Sequence, residues 1–289
     1  MAISNLKQWK DLGQLTQVTG DNIFYISKGS GPALLLIHGF PTSSWDWHTL
    51  LTHLSEHFQV IAIDMLGYGF SDKPLQGDYS TKAQANRIKN VLKQLGVNAC
   101  HIMTYSYGSS VAQEILHQDE LFEVQVKSLC LMNGGLFPNS NRPKLAQTLL
   151  LGRLGFLVNL FFSKRVLDQN LRSIFGPDTQ PTPLLITQYW ELININDGKR
   201  ILPTLIQYLK ERQVFSQKWQ QALIDFKKPI QLIIGDHDSI SGIDLAIEFQ
   251  EKISKNNIHI LKNIGHYPQL ESPKLVLKLF NEFQNINNK

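Results

Sequence analysis

Five short apolar runs constrain this chain more than any other feature. They are Ala33–Ile37, Val60–Ile63, Cys100–Thr104, Val126–Met132 and Ile230–Ile234. Such runs fit strands buried on both faces, as in a parallel sheet covered by helices. Segments at helical spacing separate the first four. Trp45–His57 carries Leu50, Leu51 and Leu54 on one face, with Ser44 as its N-cap. Ser80–Leu95 is amphipathic and Gly96 stops it; a third helix runs from Tyr107 to about His117. This alternation predicts an α/β fold with a mostly parallel, doubly wound sheet. Gln14–Val18 and Asn22–Ser27 add a hairpin turning at Thr19-Gly20-Asp21.

The alternation stops after the fourth run. From Leu136 to about Ala222 the chain is strand-poor. Helices are predicted there at Pro143–Leu151, Leu154–Phe162, Lys164–Leu171, Pro183–Ile195, Lys199–Lys210 and Phe215–Ile224. The sheet resumes at Ile230. A helix at about Leu245–Ile253, a strand at Ile258–Leu261 and a helix at Pro273–Phe283 follow. The implied organisation is a core of residues 1–135 and 223–289, with a helical cap of residues 136–222 inserted into it.

Of the 289 residues, 43% are hydrophobic and 18% charged, which supplies a sizeable core and argues against disorder. The formal net charge of +4 is small and its basic residues are scattered, so nucleic acid is not an expected partner. The two cysteines, Cys100 and Cys130, fall in strand-like runs and read as free buried thiols. With no apolar h-region in Met1–Lys10, a reducing, cytoplasmic location is expected. Thr148–Phe162 is the longest apolar stretch. Arg153 and Asn159 interrupt it and it is too short to span a bilayer, so no stable membrane insertion is expected. It reads as a buried helix pair, with contact at a membrane surface as the alternative. The chain is expected to be a monomer or homodimer, and its polar tail, 285–289, is expected to fray.

The chemistry lies just past the strand ends. Cys100–Thr104 leads into Thr104-Tyr105-Ser106-Tyr107-Gly108, a strand-to-helix turn close to the pattern Gly-x-Ser-x-Gly, with Thr104 in place of the first glycine. Asp238 follows Ile230–Ile234, and His266 follows Ile258–Leu261. Parallel strands share one C-terminal edge, so Ser106, Asp238 and His266 can converge there. Serine is a weak nucleophile and needs a base in reach; imidazole takes and returns the proton, and a carboxylate behind it fixes the tautomer. Asp236 is the rival acid and reads as a turn former. The backbone N–H groups of Phe40, in His38-Gly39-Phe40-Pro41, and of Tyr107 are the expected oxyanion donors. His38 anchors that loop. Phe137, Tyr189, Trp190 and Tyr208 are the expected pocket residues between cap and core, implying a small hydrophobic substrate. Gly67 and Gly69 lack phosphate-loop spacing and no ligand cluster supports a metal, so no cofactor is expected.

Together His38-Gly39-Phe40-Pro41, Asp64-Met-Leu-Gly67-Tyr-Gly69-Phe-Ser-Asp, Gly235-Asp-His-Asp238 and Gly265-His266-Tyr-Pro-Gln-Leu-Glu-Ser-Pro resemble the α/β-hydrolase family. The resemblance is to its capped branch with epoxide hydrolases and haloalkane dehalogenases. Leu131-Met-Asn133-Gly134-Gly135-Leu-Phe137-Pro138, Phe175-Gly-Pro and Asn196-Asp-Gly198 look more closely like the mesoderm-specific transcript subgroup. The resemblance covers nearly the whole chain and implies the α/β-hydrolase fold. It also makes Ser106 unusual, because relatives of this branch typically carry aspartate there. An aspartate attacking an epoxide or alkyl halide gives an ester, whose carbonyl water can then attack. A serine attacking the same carbon would give an ether that does not turn over. Ser106 therefore implies a substrate that brings its own carbonyl, such as an ester. The weighed alternatives are epoxide or C–halogen hydrolysis, with Tyr189 and Tyr208 polarising the substrate, and a non-catalytic ligand-binding protein. Phe40 and Tyr107 stand where dehalogenases usually place asparagine and tryptophan, which weakens a halide site.

Overall fold

The computed structural model describes residues 3–118, 122–138, 140, 142–152, 154–253 and 256–285. All but the first residue of the polar tail lies outside them. The strands are β1 (Gln14–Val18), β2 (Asp21–Lys28), β3 (Ala33–Ile37), β4 (Gln59–Ile63), β5 (Ala99–Tyr105), β6 (Gln125–Met132), β7 (Ile230–Gly235) and β8 (Ile258–Leu261). They form one sheet in the order β1-β2-β4-β3-β5-β6-β7-β8. The pairs β1–β2 and β2–β4 are antiparallel, and every later pair is parallel.

Sequence explains the local choices. Thr19 and Gly20 both take positive φ, so β1 reverses into β2 through two residues with Val18 opposite Asp21. Each of β3 and β7 is buried along its whole length, as continuous apolar runs require. Ser80 caps the helix Thr81–Gln94 by accepting the Ala83 N–H. From β3 the chain steps outward to β4, then crosses back over β3 to reach β5. The carboxyl ends of β3 and β5 therefore flank a topological switch point, with Ile37 opposite Thr104. Register alone sets the loop after Ile37 beside the turn after Tyr105.

Two expectations are corrected. Trp45–His57 is not one helix: Ser44–Trp47 is a 3-10 turn and Leu51–Leu54 a single α-turn. Ser43, not Ser44, is the cap. The Ser44 N–H donates to Asp64 Oδ1 (2.7 Å), and its hydroxyl accepts the Trp9 indole N–H (3.1 Å). The expected helices Lys199–Lys210 and Phe215–Ile224 are instead Leu202–Leu205 and one long helix, Tyr208–Asp225. Nothing between Lys210 and Phe215 breaks a helix, and Tyr208, Leu209, Arg212 and Trp219 bury along its length. The short helices Leu6–Leu12 and Pro268–Glu271 were not expected.

Between β6 and β7 every described element is helical. This insertion is fastened to the core by polar bonds. The Trp219 indole N–H donates to buried Glu114 (2.6 Å), Arg212 Nε donates to Ser110 Oγ (2.7 Å), and the Thr81 N–H donates to Glu211 (2.8 Å).

Gly108 is tightly enclosed at the turn that follows β5. A Cβ there would lie 2.5 Å from the Ile37 carbonyl and 2.7 Å from that of His38. Neither carbonyl can move without disturbing β3. Gly108→Ala is expected to cost about 1–3 kcal/mol, read as a lower chemical-denaturation midpoint. Adding Thr104→Gly should not restore it, because the two carbonyls remain.

Candidate active site

Ser106 follows β5 directly and caps the helix Tyr107–His117 with φ 55° and ψ −118°. A non-glycine residue held at such a conformation costs about 1–3 kcal/mol and persists only when its surroundings over-determine it. They do so here. The Ser106 N–H donates to the carbonyls of Asn133 (2.7 Å) and Met132 (3.1 Å), and its own carbonyl accepts Arg212 Nη2 (3.0 Å). Thr104 is tolerated in place of glycine because its hydroxyl occupies space that a side chain at Gly108 would fill.

The structure brings Ser106, His266 and Asp238 together. His266 Nε2 lies 3.0 Å from Ser106 Oγ, and His266 Nδ1 lies 2.9 Å from Asp238 Oδ2. An ionised carboxylate only accepts, so Nδ1 carries the proton and Nε2 is free to accept from the serine. All three residues are buried. Burial pushes Asp238 up, but the His266 charge and bonds from His266, Ser241 and the Ile240 N–H outweigh it and hold the carboxyl below its usual range. Asp236 does not reach the site; it pairs with half-exposed His237 (2.7 Å).

Two side chains and one backbone bond hold these loops in register. Asn133 Nδ2 donates to the Gly265 carbonyl (2.7 Å), while its Oδ1 accepts the Gly235 N–H (3.1 Å). It thereby ties the end of β6 to the loops bearing Asp238 and His266. Glu271 accepts the N–H groups of Gly265 (2.8 Å) and Tyr267 (2.9 Å) on either side of His266, and that of Gly176 (2.7 Å) from the insertion. The His266 N–H itself donates to the Ile174 carbonyl (2.7 Å). In the sequence Asn133 stands out only as part of the Leu131–Pro138 motif. Glu271 lies within the motif that opens at Gly265-His266, where nothing sets it apart from a solvated glutamate.

The loop after β3 meets the turn through Gly39, where a Cβ would stand 2.8 Å from Ser106 Cβ. Among the described residues, neither the Phe40 N–H nor the Tyr107 N–H donates to a protein acceptor. Tyr107 follows Ser106 directly, and Phe40 follows Gly39, the residue of this loop that meets Ser106. His38 is structural: its ring bonds the Gly39 carbonyl (2.8 Å) and accepts the Met65 N–H (3.1 Å). Burial lowers its pKa to about 4, so it stays neutral.

A cavity of about 250 Å³ opens on His266, just below the ~300 Å³ where ligand pockets commonly begin. Phe40, Leu150, Val158, Phe162, Leu171, Ile206 and Tyr267 are among its walls. Phe137, Tyr189, Trp190 and Tyr208 are not among the described residues that line it. Phe137 is fully buried beneath Lys252, Trp190 packs on Phe162, and Tyr208 lies tilted against Tyr107 with ring centres 4.2 Å apart. Tyr189 reaches from the insertion to the core, its hydroxyl donating to Asp46 Oδ1 (2.5 Å). Thr42 (2.5 Å) and Tyr105 (2.6 Å) bond the other carboxylate oxygen. Burial pushes Asp46 up to about 7 in spite of these hydroxyls, and Asp64 adds to the rise. Among the described residues no group of side chains could hold a metal ion.

Residues 32–273 match the family described as alpha/beta hydrolase fold. The mesoderm-specific transcript protein of Mus musculus is 37% identical over 294 residues, covering 97% of this chain and 88% of that one. A putative hydrolase, LipZ, of Mycobacterium tuberculosis is 30% identical over 277 residues, covering 95% and 96%. Among solved structures, the epoxide hydrolase CorEH without ligand superposes with a TM-score of 0.79 at 20% identity, over 94% of this chain and 98% of that one. The chain belongs to the alpha/beta hydrolase fold family.

The Asp46 cluster gives stability a pH dependence. Its carboxyl rises from 3.8 to about 7 on folding, so the folded state binds the extra proton between those values. The stability this contributes is present below about pH 4 and lost as pH rises through about 7. Asp46→Asn removes the titration. Its thermal midpoint is expected to vary less between about pH 5 and 8 than that of the parent. Parallel curves for the two proteins would contradict this.

Proposed function

We propose that this protein is a serine hydrolase acting on a hydrophobic carboxylic ester or related acyl compound. The observation that carries the reading is the unbroken Ser106–His266–Asp238 series, at 3.0 and 2.9 Å, beside a predominantly apolar cavity with His266 in its wall. Ser106 Oγ attacks the substrate carbonyl while His266 Nε2 takes its proton, and Asp238 stabilises the imidazolium. The N–H groups of Phe40 and Tyr107 hold the oxyanion, each worth about 3 kcal/mol to the transition state. His266 returns the proton to the leaving alkoxide, water attacks the acyl-enzyme with His266 again as base, and Ser106 is regenerated.

This reading keeps a core of residues 1–135 and 223–289 under a cap of residues 136–222, acting as a monomer or homodimer. Burial pushes the Cys100 thiol up to about 12, and neither cysteine is paired, in keeping with a reducing, cytoplasmic location. The fold shared with an epoxide hydrolase does not transfer its reaction, because serine on an epoxide carbon leaves an ether. Neither Tyr189 nor Tyr208 lines the cavity to polarise an epoxide oxygen.

Hydrolysis of p-nitrophenyl butyrate tests the assignment. Ser106→Ala is expected to lower kcat by roughly 10⁴–10⁶-fold. A fluorophosphonate probe should label the parent and not the variant. Equal turnover by both would sink the proposal, and failure of the parent to label would favour a non-catalytic ligand-binding protein.

A further inference from the structure

The helices Leu145–Leu151 and Gly155–Leu160 pack against each other but, against the expected buried pair, leave large apolar side chains in solvent. Leu145 is 73% exposed, Leu160 70% and Phe161 81%; Leu149, Leu154 and Phe156 are exposed beside them. An exposed apolar cluster of this kind on a soluble protein marks a docking surface rather than chance. Phe161 and Leu149 also line the cavity that reaches His266. The exposed face is therefore continuous with the mouth of the apolar cavity.

Charge defines what covers it. From residue 139 to residue 167 the sequence holds no acidic residue; Arg142 and Lys144 precede the apolar helices, and Lys164 and Arg165 follow them. Arg142 pairs with Asp244, but Lys144 stands in the cavity wall, and Lys164 contacts only the neutral Thr187 hydroxyl among the bonds described for it. An apolar face with a basic border matches a bilayer bearing anionic headgroups: the side chains enter the acyl boundary and the cations meet phosphate. A folded protein seated here would stopper the cavity. A bilayer would instead feed it.

We propose that this face docks the protein on an anionic lipid bilayer, from which an apolar acyl substrate passes directly into the cavity. The second half rests on the hydrolase reading, whereas docking does not, so binding is measured without catalysis. No helix among the described residues is long and apolar enough to cross a membrane.

The test is co-sedimentation with vesicles of phosphatidylcholine, alone and mixed with phosphatidylglycerol. The parent should bind the mixed vesicles, and bind the neutral ones at least about tenfold more weakly. Phe156→Asp with Leu160→Asp, both outside the cavity wall, should lower binding at least about tenfold. Turnover of the soluble p-nitrophenyl ester and the melting temperature should not change. Lys164→Glu with Arg165→Glu should lose binding to the mixed vesicles alone. Absence of parent binding to either vesicle would overturn the proposal. So would light scattering that shows a dimer which Phe156→Asp with Leu160→Asp turns into a monomer, because a second copy would then be the occupant.

Discussion

The Ser106 N–H bonded to the Asn133 carbonyl is the contact on which the site depends. It holds a serine in a backbone conformation that a free chain would leave, and it does so from the end of the neighbouring strand. The Asn133 side chain then extends the same fixture to β7 and to the histidine loop. Three loops that are distant in sequence are thus referenced to one residue. A buried amide suits this task, since it offers donor and acceptor a fixed distance apart, and both are satisfied here. The strain at Ser106 is offset by these bonds and by Arg212, which binds the serine carbonyl from the insertion.

Three buried carboxyl groups near this edge meet different fates. Asp238 faces an imidazole and stays ionised, as its role behind the proposed base requires. Asp46 faces only hydroxyls and is raised to about 7 by desolvation. Asp64 is also raised, chiefly by burial, although the N–H groups of Ser44 and Phe70 and the charge of Lys73 oppose the rise. What separates them is the chemistry of the partner. The imidazole in direct contact with Asp238 outweighs desolvation; hydroxyls and N–H groups, joined at Asp64 by the charge of Lys73, reduce it without cancelling it.

The fold and the proposed triad were readable because each rests on a local pattern. A continuous apolar run specifies a buried strand, and strand ends share one edge, so polar residues just past them converge. Ser106, Asp238 and His266 all obey this rule. The cavity wall does not. Leu150, Val158, Phe162 and Tyr267 line it through the way helices of the insertion lie against the core, which no periodicity encodes. Phe137, Tyr189, Trp190 and Tyr208 have the same composition and are spent on packing or on Asp46. The cap of the 3-10 turn was misplaced by one residue for a similar reason: Ser44 had distant partners, Asp64 and Trp9, that a local reading cannot see.

The bonds from His266 to Ile174 and from Glu271 to Gly176 bear on how such a protein can diversify. In a fully modular design, the element that chooses the substrate could be exchanged while the reaction centre stayed intact. Here the backbone of the proposed base is moored to that element. A recombined descendant with a foreign insertion would inherit a displaced imidazole along with its new specificity. Selection on this lineage therefore has to alter side chains within the insertion, or to keep the stretch around Ile174–Gly176 as a conserved dock while the remainder drifts.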